Sequence, residues 1–279
     1  MIPAPSFLRH GPSEPQSPVV VSVPHAGRDY PLPLRAALQL PLEALRPLED
    51  RHADAIALEA VRGETLFIAG RARAWIDLNR AENERDPRID DGASLSGQPQ
   101  SSKIRSGLGL VPRRAGAAGD FLRRRLSDEE VRARIAADHR PYHEAVAAAL
   151  AAARARFGVA VLLDVHSMPP LGHGRARIVL GDRFGKSASA RFMGRIEGAA
   201  RAHGLACAAN APYSGGHILN RHGDPRRGIH AIQIEFCRAL YLDAALDRPG
   251  LGLAAAAAAL RAMIDAAADE AMPAALAAE

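Results

Sequence analysis

A chain of 279 residues, 48% hydrophobic and 24% charged, is long enough to bury one large α/β core and shows no sign of disorder or of a fibrous repeat. Its formal charge of +5 comes almost wholly from scattered arginines, since Lys103 and Lys186 are the only lysines, and aromatic residues make up 4%, which argues against a nucleic-acid partner. Cys207 and Cys237 lack the spacing of a disulfide framework or thiolate metal site, Met1 to Pro18 does not resemble a signal peptide, and the longest apolar run, Leu251 to Leu260, is too short to span a bilayer, so a cytoplasmic protein is expected.

In chain order, Val19 to Val23 is a compact β-branched run ending in Pro24, His25, Ala26 and Gly27, which reads as a buried strand entering a turn. Pro41 to Val61 carries leucine and alanine at helical spacing. Thr65 to Ala69 reads as a second strand and Arg73 to Leu78 as a third. From Asn79 to Arg114 the chain is rich in Asp, Gly, Ser, Pro and Arg, so a long functional loop is expected there, a candidate lid. Ser127 and Glu130 form a capping-box pattern for a helix through Arg134 that resumes after Pro141 and runs to Arg156. Val159 to Leu163 is fully apolar, as in a central parallel strand, and leads directly into Asp164, Val165, His166 and Ser167. A helix over Ser187 to His203 and a turn-rich segment, Asn210 to Gly216, precede the last strand, Ile229 to Phe236. Alanine-rich helices follow from Asp243. Strands alternating with helices predict one α/β domain over 1–279, with a mostly parallel sheet covered on both faces.

In such sheets ligands bind beyond the carboxyl ends of the strands. His25, Asn79, Arg80, Asp164, His166 and Glu235 all fall at expected strand ends. Two histidines and a carboxylate suit zinc, whose catalytic sites use three protein ligands and leave a position for water. His25 and His166 are the nitrogen candidates. The carboxylate is expected from the segment Glu49 to Asp54, read as the first turns of a helix, with Asp50 preferred over Glu49 and Asp54, and His52 too near in sequence to join it without a bend. Glu235 suits a general base, an ion pair with Arg238 being its plainer alternative. Arg80 with Asn79 could clasp a substrate carboxylate, which implies an acidic or amino-acid substrate. Asn210, Tyr213, Arg221 and His222 are candidates to line the pocket.

Taken together these motifs resemble the N-formylglutamate amidohydrolase family: Ser-Val-Pro-His-Ala-Gly at Ser22 to Gly27, Asp-Leu-Asn-Arg at Asp77 to Arg80, Asp-Val-His-Ser-Met-Pro at Asp164 to Pro169, and a long block from Asn210 to Tyr241. The resemblance implies a three-layer α/β/α sandwich with a mostly parallel mixed sheet, similar to zinc carboxypeptidases and other phosphorylase/hydrolase-like folds. In the aspartoacylase and succinylglutamate desuccinylase relatives the first zinc histidine is followed three residues later by a glutamate ligand; here that position is Arg28, so another carboxylate must serve. The implied activity is zinc-dependent hydrolysis of N-formyl-L-glutamate to formate and L-glutamate, the last step of one histidine-degradation route. Zinc and a pocket arginine would stabilise the oxyanion, Glu235 would move the proton, and Arg80 with Asn79 would hold a carboxylate. Another N-acyl amino acid or peptide fragment as substrate, another divalent metal, and an inactive binding protein are the alternatives; oligomeric state is left open.

Overall fold

The computed structural model describes residues 5–93, 101–172 and 175–276. Seven strands form a mixed sheet in the order β1-β3-β2-β4-β7-β5-β6: β1 (Phe7–His10), β2 (Val19–Val23), β3 (Thr65–Ala69), β4 (Ala160–Met168), β5 (Ile178–Gly181), β6 (Cys207–Ala209) and β7 (Ile229–Cys237). β2 runs parallel to β4, and β4 parallel to β7, whereas β5 returns antiparallel to β7 and carries β6 parallel to itself. The helices are α1 (Leu32–Ala36), α2 (Ala53–Ala60), α3 (Ser102–Arg105), α4 (Asp128–Arg134), α5 (Arg140–Phe157), α6 (Ala190–Ala202), α7 (His217–His222) and α8 (Leu253–Leu276). Among the described residues no helix is long and apolar enough to cross a membrane.

The chain divides into two compact units. The first comprises residues up to Leu8, Pro24–Asp50 and Ile68–Glu144; the second comprises Arg9–Val23, Arg51–Phe67 and the chain from Ala145 onward. In the second unit β2 and β4 are buried along their whole length, which accords with the apolar runs Val19 to Val21 and Ala160 to Leu163. Helices α2 and α6 each pack on α8, and all three pack on the sheet. The alanines of α8 allow that close approach while adding buried apolar surface at Ala256, Ala259, Leu260, Met263 and Ile264.

The first unit holds mostly turns and helices. Its α4 opens with the expected capping box: Ser127 Oγ accepts from the Glu130 N–H at 3.1 Å, and the Glu130 carboxylate accepts from the Ser127 N–H at 2.9 Å. Arg124 hydrogen-bonded to Glu130 holds that carboxyl down at about 2. A carboxyl depressed on folding adds stability above its unfolded value of 4.5, and this contribution is lost as the pH falls toward about 2. Ser127→Ala should cost about 1 kcal/mol, read from the urea midpoint, and leave catalysis unchanged.

Several expectations need correction. Arg73 to Leu78 is not a strand but a run of turns and irregular chain. The helix expected over Pro41 to Val61 is two pieces, a 3-10 stretch (Leu42–Leu48) and α2, separated by an extended Glu49 and by His52 in the left-handed region at φ 58°. Asp50 therefore lies ahead of α2 and does not share a helical face with Asp54. Asp164 and His166 do not follow their strand but lie inside β4, which continues to Met168, while Glu235 lies near the end of β7 as expected. The described part of 79–114 includes α3 and holds the half-buried pair Arg85 with Asp90 and the buried pair Arg113 with Asp86; residues 94–100 lie outside the description.

Candidate active site

In the first unit, the turn after β2 presents His25, 3% exposed. Its Nε2 lies 2.7 Å from Asp77 Oδ1 and its Nδ1 3.5 Å from Asp50 Oδ2. The Asp50 N–H donates to the His25 carbonyl at 2.9 Å, so the two residues are also fixed through their main chains. Burial alone would raise the Asp77 carboxyl, but Arg73, Arg80 and His25 together hold it well below the ordinary carboxylate range. An ionised Asp77 can only accept, so the His25 proton sits on Nε2. Nδ1 then faces the Asp50 carboxylate as an acceptor, an arrangement that could share a cation.

Asn79 and Arg80 follow at once. The Asn79 N–H donates to Asp77 Oδ1 at 2.8 Å. Arg80, 5% exposed, donates from Nε to the Leu108 carbonyl at 2.8 Å and from Nη1 to the Asn79 carbonyl at 2.6 Å. Its Nη2 has a long 3.8 Å ion pair with Asp77. Burial lowers the Arg80 pKa and Asp77 opposes this. Nε and Nη1 are thus committed, and Nη2 is the atom that could meet an added carboxylate. Of the other acidic candidates before α2, Glu49 accepts from the Tyr30 hydroxyl.

In the second unit, register places polar side chains side by side on one face of the sheet. Ser22 pairs with Asp164, Asp164 with Gln233, and His166 with Glu235. Parallel partners share a face, as do residues two apart in a strand. Ser22 Oγ donates to Asp164 Oδ1 at 2.7 Å, and His166 Nε2 lies 2.9 Å from Asp164 Oδ2. Gln233 Nε2 donates to Glu235 Oε1 at 2.9 Å. Glu235 is 7% exposed and Arg238, its expected plain partner, donates from Nε to Ser167 Oγ at 3.1 Å.

Beside this row, Tyr213 packs against the cluster of Met168, Val179 and Cys237, and Val179 is the β5 partner of Glu235. Buried His222 ends α7 and is lowered to about 4 chiefly by burial, so it is neutral at physiological pH; Arg221 before it is exposed. Asn210 serves its own loop: at φ 59°, its Oδ1 accepts from the Asp182 and Phe184 N–H groups and its Nδ2 donates to Asp182.

Metal-binding histidines characteristically donate their second ring N–H to a carboxylate or carbonyl, which fixes the tautomer and aims the other nitrogen. Both candidate histidines fit. His25 and His166 each place Nε2 on a buried aspartate, Asp77 and Asp164. Among the described residues two sets could hold a metal ion by composition: His25, Asp50 and His166, and His139, His143 and His217. Two imidazoles and a carboxylate match a hydrolytic zinc donor set, and His166 pairs in register with a buried carboxylate, Glu235. Asp77→Asn should weaken metal retention about 10- to 100-fold in a chelator competition, because the amide cannot anchor the His25 proton as an anion does.

Sequence reasoning gave Asp77, Asp164 and Gln233 no role. Asp164, named at a strand end, could have been assigned as the partner of His166 from its spacing, since Asp-x-His in a strand places both side chains on one face. Asp77 offers no such local signal, because its partner is 52 residues away.

A sequence model described as N-formylglutamate amidohydrolase matches residues 17–242, a span that includes every candidate residue above. The chain is 29% identical over 232 residues to the N-formylglutamate deformylase of Pseudomonas aeruginosa, and 30% over 235 residues to that of Pseudomonas putida. Each alignment covers 81% of this chain and 82% of the relative. A crystal structure of N-formylglutamate amidohydrolase from Ralstonia eutropha JMP134 superimposes with a TM-score of 0.86 at 30% identity, covering 99% of this chain and 100% of that one.

Proposed function

Because the chain belongs to the N-formylglutamate amidohydrolase family, we propose that it hydrolyses the N-formyl amide of N-formyl-L-glutamate to formate and L-glutamate, with zinc held by His25, Asp50 and His166. The observation that carries the metal half of this reading is the matched pair of aspartate-oriented histidines, Asp77 with His25 and Asp164 with His166. Zinc, when bound, acidifies water to near neutral pH and polarises the scissile carbonyl.

The remaining work falls to the chain's own side chains. Glu235, aimed by Gln233, takes a proton from the attacking water and returns it to the glutamate nitrogen as the C–N bond breaks. Arg80 holds a substrate carboxylate through Nη2, with Asn79 beside it. Tyr213, His222 and Arg221 border the pocket on this reading, and Asn210 shapes the loop that carries Tyr213. The family match over residues 17–242 supports reading the chain as one catalytic domain. Free Cys207 and Cys237 accord with a reducing cytoplasm, and the activity suits histidine catabolism.

Formate release from N-formyl-L-glutamate and N-formyl-L-aspartate, and acetate release from N-acetyl-L-glutamate, by zinc-loaded protein tests the substrate. Preference for N-formyl-L-glutamate, abolished by a chelator, is expected. Faster turnover of either of the others would assign a different N-acyl amino acid to the same site, and no turnover of any would favour a binding protein.

A further inference from the structure

The stretch from Trp75 to Arg80 carries Asp77, Asn79 and Arg80, yet it belongs to no strand. Much of what holds it comes from one helical segment of the same unit. Arg134 donates from Nη1 to the Trp75 carbonyl at 2.9 Å, and its guanidinium lies 3.7 Å above the Trp75 ring. Asp138 Oδ2 accepts from the Trp75 indole at 2.7 Å. His143 Nε2 lies 2.9 Å from the Leu78 carbonyl, and His139 Nε2 lies 2.8 Å from the Arg80 carbonyl. The two carbonyls bracket Asn79. Because a carbonyl only accepts, both imidazoles carry their proton on Nε2.

The helix is built to make these contacts possible. Between α4 and α5 the residues Ile135–His139 form a π-turn. Bonds from i to i+5 bring residues five apart onto one face, so Arg134 and His139 can both address the same stretch; uninterrupted α-helix would turn them well apart. His143 then follows His139 by four residues, on the same face. Both histidines are fully buried. A buried imidazole is costly unless hydrogen-bonded, and an apolar residue would fill the same space without that cost.

We propose that His139 and His143 are positioning residues for the reaction: by donating to the carbonyls on either side of Asn79 they fix both Asp77, which orients His25, and the Arg80 guanidinium. This rests on the deformylase reading above. It assigns the two histidines no contact with substrate.

The test compares His139→Leu and His143→Leu with His139→Gln and His143→Gln in the whole chain. A glutamine amide can place an N–H near the position of Nε2, whereas leucine fills the volume alone. Three quantities are read beside the parent protein: zinc retention against a chelator, kcat/KM for N-formyl-L-glutamate, and melting temperature. The leucine variants should lose about 10- to 100-fold in kcat/KM, and the glutamine variants should recover most of it. If the leucine variants do not fold, the glutamine variants decide alone: near-parental retention and turnover support the assignment. Leucine variants that equal the parent, or glutamine variants as impaired as the leucine ones, would overturn it. Should the parent itself not act on N-formyl-L-glutamate, the deformylase reading fails separately, and zinc retention still reports whether the histidines position Asp77 and His25.

Discussion

His166→Ala is expected to abolish both zinc retention and formate release, with kcat/KM falling on the order of a thousandfold or more. The imidazole sits within a fully buried strand, anchored by Asp164, which is itself held by Ser22. Its removal deletes one of three proposed ligands and leaves Asp164 with one partner fewer. A modest cost in stability should accompany the loss, because a buried carboxylate is left less well satisfied. Metal content by atomic absorption and formate release on the same preparation check it. A variant that keeps one zinc per chain and near-parental turnover would remove His166 from the site.

Glu235→Gln should separate metal from proton transfer. The amide nearly matches the carboxylate in shape but cannot take a proton from water, so kcat should fall about 10²- to 10⁴-fold. Zinc content and KM should stay close to the parental values, since Glu235 is proposed neither as ligand nor as substrate clasp. A parallel fall in zinc content would show that Glu235 holds the metal, and an unchanged kcat would return it to a structural role on β7.

The strands that the sequence revealed are those buried on both faces. Val19 to Val23 is a strand with the expected limits, and Thr65 to Ala69 likewise. The start of β4 was legible from its apolar run, but its end was not. Hydrophobicity stops at Leu163 while the strand continues, because Asp164 and His166 meet polar partners across the ladder at Ser22, Gln233 and Glu235 instead of an apolar core. β5 and β6 are only four and three residues long and left no periodic signal. Arg73 to Leu78 alternates as a strand would, with Ala74 and Ile76 buried, but the polar groups of this stretch are met by side chains from α4 and the π-turn rather than by a neighbouring strand.

The site was legible in its residues more than in its geometry. His25, Asp50 and His166 were named from residue type and position, and the structure adds what fixes them: Asp77 on one histidine, Asp164 on the other, and a main-chain hydrogen bond from Asp50 to His25. Arg80 with Asn79 was read as a bidentate clasp for a substrate carboxylate, and the structure shows Nε and Nη1 of its guanidinium already committed to the Leu108 and Asn79 carbonyls. Asn210 was read as a pocket residue, and its amide is engaged by the loop at Asp182 and Phe184. Asp77 and Leu108 lie far along the chain from the side chains they meet and leave no mark in local pattern, whereas the pairing of Asp164 with His166 is carried by their spacing.

The most direct measurement is an anomalous-scattering map at the zinc edge from crystals of the whole chain grown with zinc. The expected result is one strong peak about 2.0–2.2 Å from a nitrogen of His25, a carboxylate oxygen of Asp50 and a nitrogen of His166. A peak among His139, His143 and His217 instead, or no peak in crystals of protein that releases formate, would contradict the proposed zinc centre.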